Sequence, residues 1–142
     1  MGFASVNFLS ILVAAIAAWI FAAVYFTALS KPWLAAMGKT LEQCKAEQAA
    51  KSGPAKIAPF VLALVGDLII GWVLYGILFH LNMFNLRSGL ISGAICWFGF
   101  VLTTMTVSSA FSGRKPVLTV IDGAGWLGVF LIIGAIIGAW GV

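Results

Sequence analysis

Val117–Trp140 reads VLTVIDGAGWLGVFLIIGAIIGAW, an apolar run interrupted by a single charge at Asp122. Its 24 residues exceed the ~20 that an α-helix needs to cross a hydrocarbon core of about 30 Å. Three similar runs precede it, at about 5–29, 57–81 and 88–110, and the four fill most of a 142-residue chain. A soluble domain of this size cannot bury so much apolar surface. Composition agrees: 63% of residues are hydrophobic and 8% charged, with mean hydropathy +1.13, whereas soluble domains carry about 25% charged residues. The reading is an all-α membrane protein. It is a four-transmembrane-helix bundle forming one domain over residues 1–142, with the lipid bilayer as its first partner.

The net charge is +4 and the isoelectric point about 9.4. Such a balance can signal nucleic acid, but here the basic residues flank the apolar runs, so no nucleic-acid partner is expected. Lys and Arg beside membrane segments set orientation and meet anionic lipid. Four spans put both termini and the turn at 82–87 on one side. The loops at 30–56 and 111–116 then share the other side. That second side holds Lys31, Lys39, Lys45, Lys51, Lys56, Arg114 and Lys115, and the first holds only Arg87. Basic loops stay in the cytoplasm. The expected location is the bacterial cytoplasmic (inner) membrane, with both termini on the periplasmic side. The first run has no basic residue before it and exceeds the usual length of a signal-peptide core, so it reads as a retained span.

The long loop at 30–56 carries its own helical signals. Pro32 is expected to end the first span, because it cannot donate the next backbone hydrogen bond, and Trp33 suits the headgroup region. Leu34, Met37, Leu41 and Cys44 recur at helical spacing, with Gly38 interrupting them. Thr40 and Gln43 have the form of a capping box. Glu47 and Lys51 stand four apart in the favourable order. Together these predict a short amphipathic cytoplasmic helix, lying on the membrane as a connector or docking a partner.

Within the spans, small residues recur at intervals of four. Gly89 with Gly93 and Gly134 with Gly138 form two GxxxG pairs, and Ala14, Ala18 and Ala22 form an alanine version. Helices in lipid associate by close backbone approach. These faces fit either packing within the chain or a homo-oligomer. Ser-Lys-Pro after the first run and Arg-Lys-Pro after the third give a faint internal echo. So do Asp67 followed by Trp72 and Asp122 followed by Trp126.

Asp67 is the most demanding residue. An ionised carboxylate near mid-depth costs on the order of 2.5–3.5 kcal/mol on insertion scales, so it must be neutral, paired or hydrated. Asp122, Thr103, Thr104 and Tyr25 fall in the same half of the bilayer. Arg114 or Lys115 can reach Asp122, and the Trp126 indole is placed to donate to it. This polar cluster reads in three ways: a structural hydrogen-bond network, a proton or solute relay, or a binding site for a lipid, quinone or pigment. His80, alone at the outer end of its span, reads as interfacial. Cys44 and Cys96 read as free thiols. No nucleophile–base pair, metal-ligand spacing or phosphate loop is visible. No enzyme activity, metal or cofactor is therefore expected.

Three stretches carry a family resemblance. They are Val24-Tyr25-Phe26-Thr27-Ala28 running on to Lys31-Pro32-Trp33 and Met37-Gly38-Lys39-Thr40; Trp97-Phe98-Gly99-Phe100-Val101-Leu102-Thr103-Thr104; and Phe111 through Gly113-Arg114 to Ile121-Asp122-Gly123. In order and spacing the chain resembles the bacterial family catalogued as domain of unknown function seventeen-sixty-one. The resemblance implies a small four-helix membrane protein with no assigned activity. At Asp122 the chain departs from the family pattern, which tends to Asn followed closely by Gly and an aromatic.

The expected role is non-enzymatic: an accessory or structural subunit that packs against other membrane helices, in a homo-oligomer or a larger complex. The alternative is a small oligomeric proton-coupled transporter or channel using the intramembrane Asp67.

Overall fold

The computed structural model describes residues 6–50 and 53–142. Its helices are α1 (Phe8–Ala28), α2 (Ser30–Met37), α3 (Leu41–Ala50), α4 (Gly53–Leu81), α5 (Leu86–Ser112) and α6 (Pro116–Trp140). No strand occurs among the described residues. Four helices, α1, α4, α5 and α6, are long and apolar enough to cross a membrane.

The boundaries follow local chemistry, with two departures from expectation. Pro32 does not end the first span. α1 stops earlier, at Ala28, and Pro32 sits in the first turn of α2, where a missing N–H leaves no intrahelical bond unmade. α4 begins at Gly53 rather than near Ile57 and runs through Pro59. Its 29 residues correspond to about 43 Å at ~1.5 Å per residue, longer than a bilayer core.

Elsewhere the signals hold. Gly38 closes α2 with φ of 75° and Gly113 closes α5 with φ of 72°, a left-handed conformation that glycine adopts without strain. The capping box forms: the Gln43 N–H donates to the Thr40 hydroxyl at 3.1 Å, and the Thr40 N–H donates to the Gln43 side-chain oxygen at 3.0 Å. Lys51 lies outside the described residues. Glu47 pairs with Lys39 at 3.0 Å. At the opposite end of the molecule, Asn7 and Asn85 cap α1 and α5 through their side-chain oxygens. Asn7 also donates to the Trp140 carbonyl at 3.0 Å, tying the start of α1 to the end of α6.

α6 is the central helix. Of its most apolar stretch 44% is buried, against 6% for α5. It packs on α5, α1 and α4, and α1 packs also on α4. Glycine makes this possible on two sides. Gly134 and Gly138 of α6 lie against Gly89 and the Asn85 carbonyl of α5, and Gly93 lies against the Phe130 carbonyl. A Cβ built at Gly93 would stand 2.6 Å from that oxygen, so only glycine fits. The two GxxxG pairs therefore face each other within one chain. On the second side, the rings of Phe21 and of Tyr25 and Phe26 lie over Gly128 and Gly125. Ala14 and Ala18 are fully buried and join Ile11, Leu74, Leu78, Ile133 and Ile137 in the core.

α5 is not a continuous α-helix. Trp97–Leu102 is π-helical, a wider turn that shifts the backbone register. The hydroxyls of Thr103, Thr104 and Thr106 donate to the carbonyls of Gly99, Phe100 and Leu102 at 2.8, 2.6 and 2.7 Å. Each hydroxyl gives a carbonyl of the wider turn an added donor.

Candidate functional site

α4 carries Asp67 at its midpoint, with 14 helical residues on either side (67 − 53 and 81 − 67). Its side chain is 2% exposed. It lines a chamber of about 640 Å³ formed between α1, α4 and α6 and bordered by α2 and α3. The walls are largely aromatic and aliphatic: Trp19, Ala22, Phe26, Phe60, Ala63, Trp126 and Val129 all contribute. Among the described residues, no hydrogen bond or ion pair to the Asp67 carboxylate is found, and no fully buried side-chain oxygen lacks a partner, so its oxygens touch the open space of the chamber. The acid opens onto the chamber instead.

Asp122 lines the same chamber but is fully engaged. Arg114 donates to its Oδ2 at 2.7 Å and the Trp33 indole donates to its Oδ1 at 3.0 Å. Arg114 follows the turn after α5, and Trp33 lies on α2, so the node ties three elements together at the basic end of the molecule. Tyr25 stands beside it, its hydroxyl donating to the Ile121 carbonyl at 2.7 Å. At the residue after Asp122, the Trp97 indole donates to the Gly123 carbonyl at 2.9 Å. The Trp19 indole reaches across from α1 to the Phe60 carbonyl at 3.1 Å, beside Pro59.

The polar cluster expected from sequence thus divides. Arg114, Asp122 and Tyr25 come together. Asp67 lines the same chamber without joining their hydrogen bonds. Thr103 and Thr104 do not join it: both are exposed and bond to their own helix. The donor to Asp122 is Trp33 rather than Trp126. Trp126 is a chamber wall. His80 is exposed and packs edge-on against Phe79. The Asp-plus-Trp echo between the halves has no counterpart in function-bearing contacts, because one acid is paired and the other is not.

A family model described as "Protein of unknown function (DUF1761)" matches residues 9–138. The chain belongs to this family. Comparison with curated proteins and comparison with solved structures each give no match. The stretches that carry the DUF1761 resemblance now have physical roles. Trp33 and Arg114 hold Asp122. Trp97 through Thr104 form the π-helical turn with the hydroxyls that satisfy it. Tyr25 and Phe26 pack on Gly125. What the sequence missed is the chamber, and no local signal announces it. Its walls come from five helices, and an apolar wall residue looks like any other residue of an apolar span.

Proposed function

We propose that this DUF1761 protein crosses the bacterial cytoplasmic membrane four times, with both termini outside, and passes a small solute across it by way of the Asp67 chamber. In this reading it makes and breaks no covalent bond. The observation that carries the reading is Asp67, 2% exposed and without a hydrogen-bond donor, its oxygens open to a chamber of about 640 Å³. A hydrogen-bond network that served only to fix helix register would have supplied donors to the acid, as the node at Asp122 does. An acid without donors in an apolar place is costly. It becomes tolerable when a proton or a cationic solute arrives, and that exchange is the elementary step of a coupled transporter. Binding sites of membrane transporters commonly lie near the bilayer midplane, where the midpoint of α4 falls.

The test is flux in liposomes. Asp67→Asn preserves shape and removes the charge. Reconstituted wild-type protein is expected to pass protons or solute, and the variant to lose at least nine-tenths of that flux while keeping its helical circular dichroism and elution volume. Equal flux in both proteins overturns the reading.

A second reading has its own support. α5 exposes Ile95, Phe98, Phe100, Val107 and Phe111 and gives no residue to the chamber. Such a face suits lipid or another membrane helix, and so fits an accessory subunit or an oligomer. Gentle extraction that recovers the protein in fixed ratio with a larger complex, together with no flux from the purified protein, would favour this reading over transport.

A further inference from the structure

We propose that the chamber's occupant is a lipophilic cation: an onium or protonated-amine group that meets Asp67, carried on an apolar body that lies against Trp19, Phe60 and Trp126. The inference rests on the reading of the chamber as a binding site and names the chemical class it takes. Three features of the walls argue for it together.

Charge comes first. Two carboxylates line the chamber, and the Arg114 guanidinium neutralises Asp122. When Asp67 is ionised, one negative charge is left. An anionic occupant would face that charge with no uncommitted cation among the lining residues. A neutral, wholly apolar occupant would leave the buried acid uncompensated. A cation supplies what is missing, and the pair gains strength because the surroundings are apolar.

Wall chemistry comes second. A small hydrated metal ion asks for several oxygen ligands, and among the chamber's lining residues a single carboxylate is free. The rest is mainly Trp, Phe, Ala, Val, Leu and Pro side chains, with the hydroxyls of Thr27 and Ser30 and the thiol of Cys44 among them. Indole and phenyl faces attract cations electrostatically and also bury apolar area. A strongly hydrophilic cation would use the first property and forfeit the second, whereas a lipophilic one uses both.

Size comes third. A volume of about 640 Å³ falls within the ~300–1,000 Å³ of pockets that hold drug-sized molecules. Such a molecule also reaches the site from the lipid phase, in which it dissolves.

The experiment compares two probes of one shape and opposite charge, tetraphenylphosphonium and tetraphenylborate. Equilibrium dialysis against purified protein in a non-ionic detergent reads the binding. Tetraphenylphosphonium is expected to bind saturably at one site per chain, and tetraphenylborate is not. Asp67→Asn should weaken tetraphenylphosphonium at least tenfold, and Asp67→Glu should retain most of the affinity. Ala63→Phe, which fills the chamber and leaves the acid in place, should weaken it similarly. This second variant decides the matter if Asp67→Asn does not fold. No saturable binding of tetraphenylphosphonium, equal binding of the two probes, or unchanged affinity in folded Asp67→Asn or Ala63→Phe overturns the inference. The two proposals fail separately. Asp67-dependent flux without phosphonium binding sinks the cation and spares the transporter. Phosphonium binding without any flux sinks the transporter and supports the cation.

Discussion

Asp67 and Asp122 show how neighbourhood decides what a side chain does. Asp122 sits seven residues into α6 (122 − 116 + 1), near the basic end, where a loop arginine and an indole reach it. Asp67 sits at a helix midpoint, beyond the reach of the loop cations. The Arg114–Asp122 contact was legible in sequence, because the two residues lie eight apart across the start of a helix. The Trp33 contact was not, because its partners are 89 residues apart and local periodicity says nothing at that range. We predict that Trp33→Phe destabilises the protein by about 1–2 kcal/mol, since it removes a donor to a charged group at a partly exposed site. Arg114→Gln should cost a comparable amount. The double variant should lose less than the sum of the two, because both act through one carboxylate. Unfolding followed by circular dichroism would read all three, and strict additivity would show that the residues act independently.

At the scale of elements, α5 and α6 meet through glycine, and this contact changes the meaning of the GxxxG pairs. The sequence allowed them to serve either a neighbouring helix of the same chain or a second copy. The motif itself carries no information about which, since close approach is all it encodes. With Gly89 against Gly134 and Gly138, the face is used within the chain. Gly134→Leu is therefore expected to lower folding stability by about 1–3 kcal/mol or more through overpacking. Its effect on any oligomer should appear only as far as the fold itself is lost. A variant that stayed folded but changed oligomeric state would contradict this assignment. The π-helical turn of α5 gives a second prediction at this scale. The Thr104 hydroxyl donates to the Phe100 carbonyl at 2.6 Å in a helix long and apolar enough to cross a membrane. Thr104→Val removes it at nearly constant volume. The expected cost is about 1 kcal/mol, with faster amide hydrogen exchange confined to residues 97–104. Exchange unchanged there would mean that the hydroxyl is not needed to hold the wider turn.

For the whole molecule, the limit of the sequence has a physical cause. α1, α4 and α6 are apolar almost all round, so no amphipathic phase marks their buried faces. Helix existence and number were legible from length and hydropathy. The loop helix was legible from its capping box. Small residues at spacing four marked the interior faces better than hydrophobicity did. The chamber was not legible, because it arises from how α1, α4 and α6 diverge. Orientation depends on the remaining global signal, the placement of seven of eight basic residues on the side of the two basic loops. Each Lys or Arg resists translocation, and in short loops the asymmetry sets which side is retained. We predict that, in a chain whose Cys44 and Cys96 are replaced by Ser, a cysteine at Val142 reacts with an impermeant maleimide added to intact cells. One at the exposed Ala46 of α3 should react only after the membrane is opened. Exchanging the asymmetry, by neutralising Lys31, Lys39 and Lys45 and adding lysines beside Arg87, should reverse or mix the pattern. If Ala46→Cys labels in intact cells and Val142→Cys does not, the Asp67 chamber and its Arg114–Asp122–Trp33 rim lie nearer the outer leaflet.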